Sequence, residues 1–396
     1  MGDTGWMSAE GIGTLPPHPP AVPPVPLFPP SNMLHRFSTL VAACTVLLIL
    51  AGSLVTSHGA GLAVPDWPTS YGWNMFTFPP SMWVANILYE HGHRLVASTV
   101  GFLTIILAAW LWIAEPGRWL RWLGIAALGT IVAQGILGGL TVIFFLPAAV
   151  STAHAGLAEV FFCIVVSIAL FTSPGWREGY GVNRQRALDN VGGPSRVRPT
   201  HAGRAWSDPP TDDQALLRRI ATTTTVLIYV QILLGATMRH TGAGLAIPDF
   251  PLMFGGLVPT HWDSKIAVHF SHRVGAVIVA LGVLTTCRFV WTRLRDRREL
   301  VRPATVLAAL VVLQVTLGAL TVLSRLNPWI NSVHVVCGAL VLTTSLVLTL
   351  RSWRGAFADA SSFVEASADR GRLGAGVQAD PARMKPDAPV QGGARA

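Results

Sequence analysis

Apolar positions run through this chain in long blocks rather than in the short alternations of strands. Blocks of about twenty residues, enough for a helix to cross a bilayer core, fall near 36–57, 89–113, 120–145, 151–172, 216–238, 266–292, 302–324 and 330–350. Between and around them lie a Pro-rich N-terminus over 1–35, an Arg/Gly/Pro-rich connection over 174–214 and a polar tail over 353–396. Segments of that composition bury too little apolar surface to order themselves, so all three are expected to be disordered. The pattern predicts an all-α polytopic membrane protein of eight transmembrane helices.

Comparing the chain with itself gives the architecture. GAGLAVPDWP at 59–68 recurs as GAGLAIPDFP at 242–251, and QGILGGLTV at 134–142 recurs as QVTLGALTV at 314–322. The same registers bring His93-Arg94 onto His272-Arg273 and His154 onto His334. Four spans per unit is an even number, so both units insert in one direction and are related by a pseudo-two-fold axis along the membrane normal. The expectation is two tandem four-helix bundles, 36–173 and 215–352, joined by the 174–214 linker.

Charge orients the spans. Only 12% of residues are charged, about half the share usual in a soluble domain, and the net charge is +9. Sixteen Lys and Arg fall in the connections after spans 2, 4 and 6 and seven more lie at the C-terminus, against only Arg239, Lys265 and Arg325 in the connections after spans 1, 3, 5 and 7. By the positive-inside rule both termini are cytoplasmic. The basic balance therefore reflects topology, and no segment carries the pattern that nucleic-acid binding needs. Residues 1–34 hold no Lys or Arg, unlike a secretory or mitochondrial leader, which makes a bacterial plasma membrane the simplest address. Cys44, Cys163, Cys287 and Cys337 all sit in apolar spans without a CxxC pair, which indicates neither a disulfide framework nor a zinc site.

Histidines carry the candidate chemistry. His93 and His154 each lie about one turn into a helix that enters from the outside, and His272 and His334 repeat the arrangement. Ionisable groups at such depth mark function by default. Two imidazoles facing across a four-helix bundle suit axial ligation of a heme iron, so two bundles imply two metal sites. Arg94 and Arg273 follow at the interface, where a guanidinium can meet a heme propionate or simply reach water. The halves differ at one position: Glu90 in the first is His269 in the second. Glu90 lies three residues before His93 on the same helix face, where a carboxylate can serve as a base or stabilise a cation. Asp66, Trp67, Asp249 and Phe250 lie in outside loops that can fold over the sites. His58, His91, His240 and His261 lack the paired placement, and His35 and His201 are expected in solvent.

These residues together resemble the heme A synthase family: the PDWP loop, Glu-x-x-His-Arg at 90–94, His154, the second GAGLAIPDFP, His272-Arg273 and His334, over about 36–352. The resemblance implies a membrane oxidoreductase that converts the C8 methyl of heme O to a formyl group, by two successive hydroxylations with water-derived oxygen and loss of water from a geminal diol. It implies heme O as substrate between His93 and His154 beside catalytic Glu90, and cofactor heme b between His272 and His334. It also implies a heme O synthase and terminal oxidase assembly factors as partners, and leaves a homo-oligomer open. A di-heme b-type electron-transfer protein is the alternative, since it would use the same four histidines. Many bacterial members carry a cysteine pair flanking the DWP segment; here Ala63, Val64 and Ser70 stand in that neighbourhood.

Overall fold

The computed structural model describes Gly2, residues 31–177 and residues 212–354. Most of the N-terminal segment, the linker over 178–211 with His201, and the tail over 355–396 lie outside the described residues. All eight expected spans are helices: α1 Ser31–Ser57, α2 Asn86–Ala114, α3 Arg118–Ile143, α4 Ala148–Thr172, α5 Asp212–His240, α6 Ser264–Arg293, α7 Arg298–Leu323 and α8 Pro328–Ser352. Each is long and apolar enough to cross a membrane. Two 3-10 turns, Met75–Thr77 and Pro80–Met82, lie in the first loop, and no strand occurs among the described residues. Helix α1 begins earlier than expected, and His35 is half-buried rather than in solvent. Its Nδ1 lies 2.9 Å from the Ala169 carbonyl oxygen of α4.

Helix packing repeats between the halves. α1 packs on α2 and α4, and α3 on α2 and α4; α5 packs on α6 and α8, and α7 on α6 and α8. The halves meet where α1 and α4 lie against α5 and α8. Half of the spanning stretch of α4 and of α8 is buried inside the protein, against 11–33% for the other six, so these two helices form the central wall. Small residues permit the close approach there. A Cβ on Gly156 of α4 would stand 2.6 Å from Leu233 of α5. Each half has its own core, one around Leu107, Phe161 and Ile168, the other around Leu217, Leu307 and Leu342.

Charge closes the end that bears the arginine-rich connections. Arg177 pairs with Glu115, and Arg121 donates to the Glu115 carbonyl. Arg354 donates to the Gly175 and Trp176 carbonyls, which ties the end of the second half to the end of the first. The opposite end carries the two long loops, residues 58–85 and 241–263, and the four histidines. This loop end holds the candidate site.

Candidate functional site

Each half builds one chamber in the same way. His93 on α2 and His154 on α4 are near enough to act on each other electrostatically, as are His272 on α6 and His334 on α8. Every one of these imidazoles rests against a glycine of a neighbouring helix. A Cβ on Gly52 of α1 would stand 2.9 Å from His93 Cε1, and one on Gly235 of α5 would stand 2.9 Å from His272 Cε1. Gly138 and Gly318 cradle His154 and His334 likewise, at 3.3 and 3.2 Å. Nδ1 of His93, of His154 and of His334 is buried without a hydrogen-bond partner. The Gln134 side-chain amide donates to the His154 carbonyl at 2.8 Å, and the Gln314 amide lies 3.5 Å from His334 Nε2. In the second half Gln231 donates to the His272 carbonyl at 2.7 Å, with its amide 3.0 Å from His272 Nδ1. Its counterpart in the first half is Leu48.

Whether this donor set fits a heme follows from its composition. No group of three or more His, Cys, Asp or Glu that could hold a bare metal ion occurs among the described residues. A pair of buried neutral-type nitrogen donors instead suits an iron whose other four ligands come from a macrocycle. Both chambers fit.

Over each chamber the loop is folded by the same device. Asp66 accepts from the Tyr71 and Gly72 N–H groups and from the Thr69 hydroxyl, and Asp249 accepts from the Phe254 and Gly255 N–H groups. Those N–H groups come from successive residues with positive φ, a concave turn that binds an anionic oxygen. Burial alone would raise the Asp66 carboxyl, but the hydrogen bonds from Gly72, Thr69 and Tyr71 together hold it below its ordinary value of 3.8. Bonds from Gly255 and Phe254 lower Asp249. A group with a depressed folded-state value stabilises the loop above its unfolded value and loses that contribution as pH falls through the folded one. Amides of residues 69–73 are thus expected to stay protected from hydrogen exchange down to about pH 4 and to open below it; Asp66→Asn should make that protection independent of pH in this range.

The arginines clamp these loops to the helices. Arg94 donates to the carbonyl oxygens of Val64, Asp66 and Thr69 at 2.8–3.0 Å and to Glu90 Oε1 at 2.7 Å. Arg273 donates to the carbonyls of Ile247, Asp249 and Leu252 and, through Nε, to His269 Nε2 at 3.1 Å. Loop contacts thus engage both guanidiniums, for which a heme propionate or water is the partner expected from sequence.

Glu90 and His269 occupy equivalent places in this clamp. Glu90 Oε2 accepts from the Val64 N–H at 2.7 Å while Oε1 pairs with Arg94. His269 Nδ1 lies 3.1 Å from the Ala243 carbonyl and 3.3 Å from the Ile247 nitrogen. Since Arg273 donates to Nε2, the proton belongs on Nδ1, and His269 is the neutral tautomer. The first chamber therefore holds a fixed negative charge three residues from His93, and the second holds none at that position.

The remaining candidates line the surroundings. His91 is fully buried, its Nδ1 3.2 Å from the Ser70 hydroxyl and its ring 4.8 Å from both Phe78 and Trp83. In the second half Phe270 takes its place against Trp262, so His91 occupies a packing position in the loop floor. His58 stacks on Tyr89, and His261 lies in the exposed second loop. The Trp67 indole lies against α3, where a Cβ on Gly139 would come within 2.6 Å of it. Phe250 lies under the Arg273 guanidinium, 5.8 Å away. The four cysteines are all unpaired and lie one each in α1, α4, α6 and α8.

The fold and the site define a multi-pass helical membrane protein, duplicated, with a buried histidine pair in each half near an arginine-clamped loop. The chain belongs to the cytochrome oxidase assembly protein family, COX15-CtaA, whose model matches residues 82–346. Curated relatives align over most of their length. The chain is similar to the heme A synthase of Symbiobacterium thermophilum, 30% identical over 305 residues that make up 76% of this chain and 89% of that protein. It is also similar to those of Shouchella clausii, 28% identical over 74% of this chain and 87% of that protein, and Halalkalibacterium halodurans, 26% identical over 78% and 95%.

Proposed function

We propose that this protein is a heme A synthase, an oxidoreductase that converts the C8 methyl of heme O to a formyl group. One observation carries the assignment of roles: within a duplicated scaffold, the first chamber has Glu90 where the second has His269. Electron transfer alone does not require that difference. The first chamber, with His93, His154 and Glu90, takes heme O as substrate, and the second, with His272 and His334, takes heme b.

The net change adds one water oxygen to the methyl carbon and removes four protons and four electrons. Heme b in the second chamber, when bound, supplies a one-electron carrier through which electrons leave toward an acceptor. Glu90 is fixed by Arg94 and the Val64 N–H, so its charge does not need to reorient as positive charge develops at the carbon being oxidised. Two of its lone-pair positions are engaged, which leaves others to take the proton of an attacking water.

The arginine distribution supports a cell-membrane protein with both termini cytoplasmic and both chambers toward the outer face. A heme O synthase would supply its substrate, and assembly factors of a terminal oxidase would receive its product.

The glycine cradles give this reading a local test. Gly235→Ala forces the His272 ring aside, and overpacking of this kind costs about 1–3 kcal/mol, which is about tenfold or more in heme affinity of the second chamber. Titration of the detergent-solubilised protein with hemin measures it; Gly92→Ala, with open space around its Cβ, is the control. The activity itself is tested by co-expression with a heme O-producing enzyme and chromatography of the extracted hemes. Heme A and its hydroxylated precursor are expected. Their absence from a folded, heme-loaded protein would refute the assignment.

A further inference from the structure

Arg239 is one of only three basic residues in the sparsely charged connections at the loop end, and neither the clamps nor the proposed chemistry uses it. It lies in the last turn of α5, where α5 meets α1 and α8. Its guanidinium donates to the Ser53 hydroxyl, the Ser53 carbonyl and the Ser57 hydroxyl of α1, at 2.6–2.9 Å. Ser57 in turn contacts Ser332 and Asn331 of α8. All these partners are neutral. Arg239 forms no ion pair with an acidic side chain among the described residues, and its Nε is buried with no acceptor. A cation so placed inside a membrane protein is costly unless an anion joins it.

Two helix registers show which chamber it serves. Gly235, which touches the His272 ring, is four residues before Arg239 and so near the same face of α5, one turn deeper. Asn331, reached through Ser57, is three residues before His334 on α8, again one turn nearer the loop end. Arg239 thus stands about 4.5–6 Å along the helix axes from the level of both histidines, on the rim of the second chamber. At the equivalent point of the first half, four residues after Gly52, stands Thr56, whose hydroxyl bonds its own helix.

We infer that Arg239 forms a carboxylate-binding site on the rim of the second chamber and takes one propionate of the porphyrin held between His272 and His334. The inference rests on the reading of that chamber as a heme site. It also gives the halves different grips on their hemes. The second has a buried ionic anchor, as a resident cofactor needs, and the first has none at that point, as suits a molecule that must leave.

The experiment uses the full chain in detergent with His93→Ala and His154→Ala, so that the second chamber alone binds, titrated with hemin and with hemin dimethyl ester. Esterification removes the propionate charges and should weaken binding about tenfold in this background. Arg239→Gln should weaken hemin to the level of the ester and leave the ester unchanged, so the ester reports that the variant is folded. Arg239→Lys should retain most of the difference. An ester penalty undiminished in Arg239→Gln overturns the inference, as does a penalty that depends on Arg239 only in the complementary His272→Ala, His334→Ala background. Failure of the second chamber to bind either porphyrin in the presence of Arg239 would refute the heme-site reading beneath it.

Discussion

Glu90→His is expected to leave the protein folded, its first loop clamped and its hemes bound, while turnover of heme O falls by about 10²-fold or more. The structure itself supplies the reason for choosing histidine. In the second half His269 already stands between the same two elements as Glu90, its Nε2 accepting from an arginine four residues on and its Nδ1 meeting the loop backbone at the Ala243 carbonyl. The substitution gives the first clamp the residue of the second and removes the negative charge of Glu90. A structural role for Glu90 predicts that turnover survives, because the clamp survives. An electrostatic or proton-accepting role predicts that it does not. Heme content, loop protection and product formation, measured on one preparation, separate the two.

Arg94→Gln is expected to act in the opposite sense, on the loop first and on chemistry through it. Glu90 and Arg94 are both buried, and removing one member of a buried pair strands the other at a cost of about 3–5 kcal/mol. Three loop carbonyls lose their donor as well. Hydrogen exchange over 63–73 should accelerate by about 10²-fold or more, and product formation should fall with it. Arg94→Lys should recover little, since an ammonium cannot span the fork that joins Val64, Asp66, Thr69 and Glu90. Unchanged exchange would show that the loop is held by its own turn, through Asp66, and not by the clamp.

Much of this arrangement was legible in the sequence because it rests on two strong signals. Apolar blocks set the eight helices to within a few residues, and the internal repeat paired the histidines before any coordinates. The repeat also holds residues whose task is visible only in the folded protein. Gln134 with Gly138, and Gln314 with Gly318, recur in the repeat, yet their task of seating His154 and His334 depends on which helix faces meet. Gly52 and Gly235 sit in spans where small residues are common, so nothing marked them. For Arg94 and Arg273 a guanidinium has several acceptors to choose from, and loop carbonyls that come close only after the Asp66 and Asp249 turns form cannot be seen along the chain. Arg239 counted as a loop charge because its burial is created by the meeting of α1, α5 and α8, elements far apart in sequence. The missing cysteine pair has a physical counterpart in the same clamp: in this chain the arginine and the aspartate turn hold the first loop without a covalent tie.

The division of labour between the chambers is tested most directly by what each retains. After co-expression with a heme O-producing enzyme, the purified His272→Ala, His334→Ala protein should yield heme O, with little heme b, on extraction. The His93→Ala, His154→Ala protein should yield heme b alone. Reversal of that pattern, or the same mixture from both variants, would contradict the assignment of substrate to the half that carries Glu90.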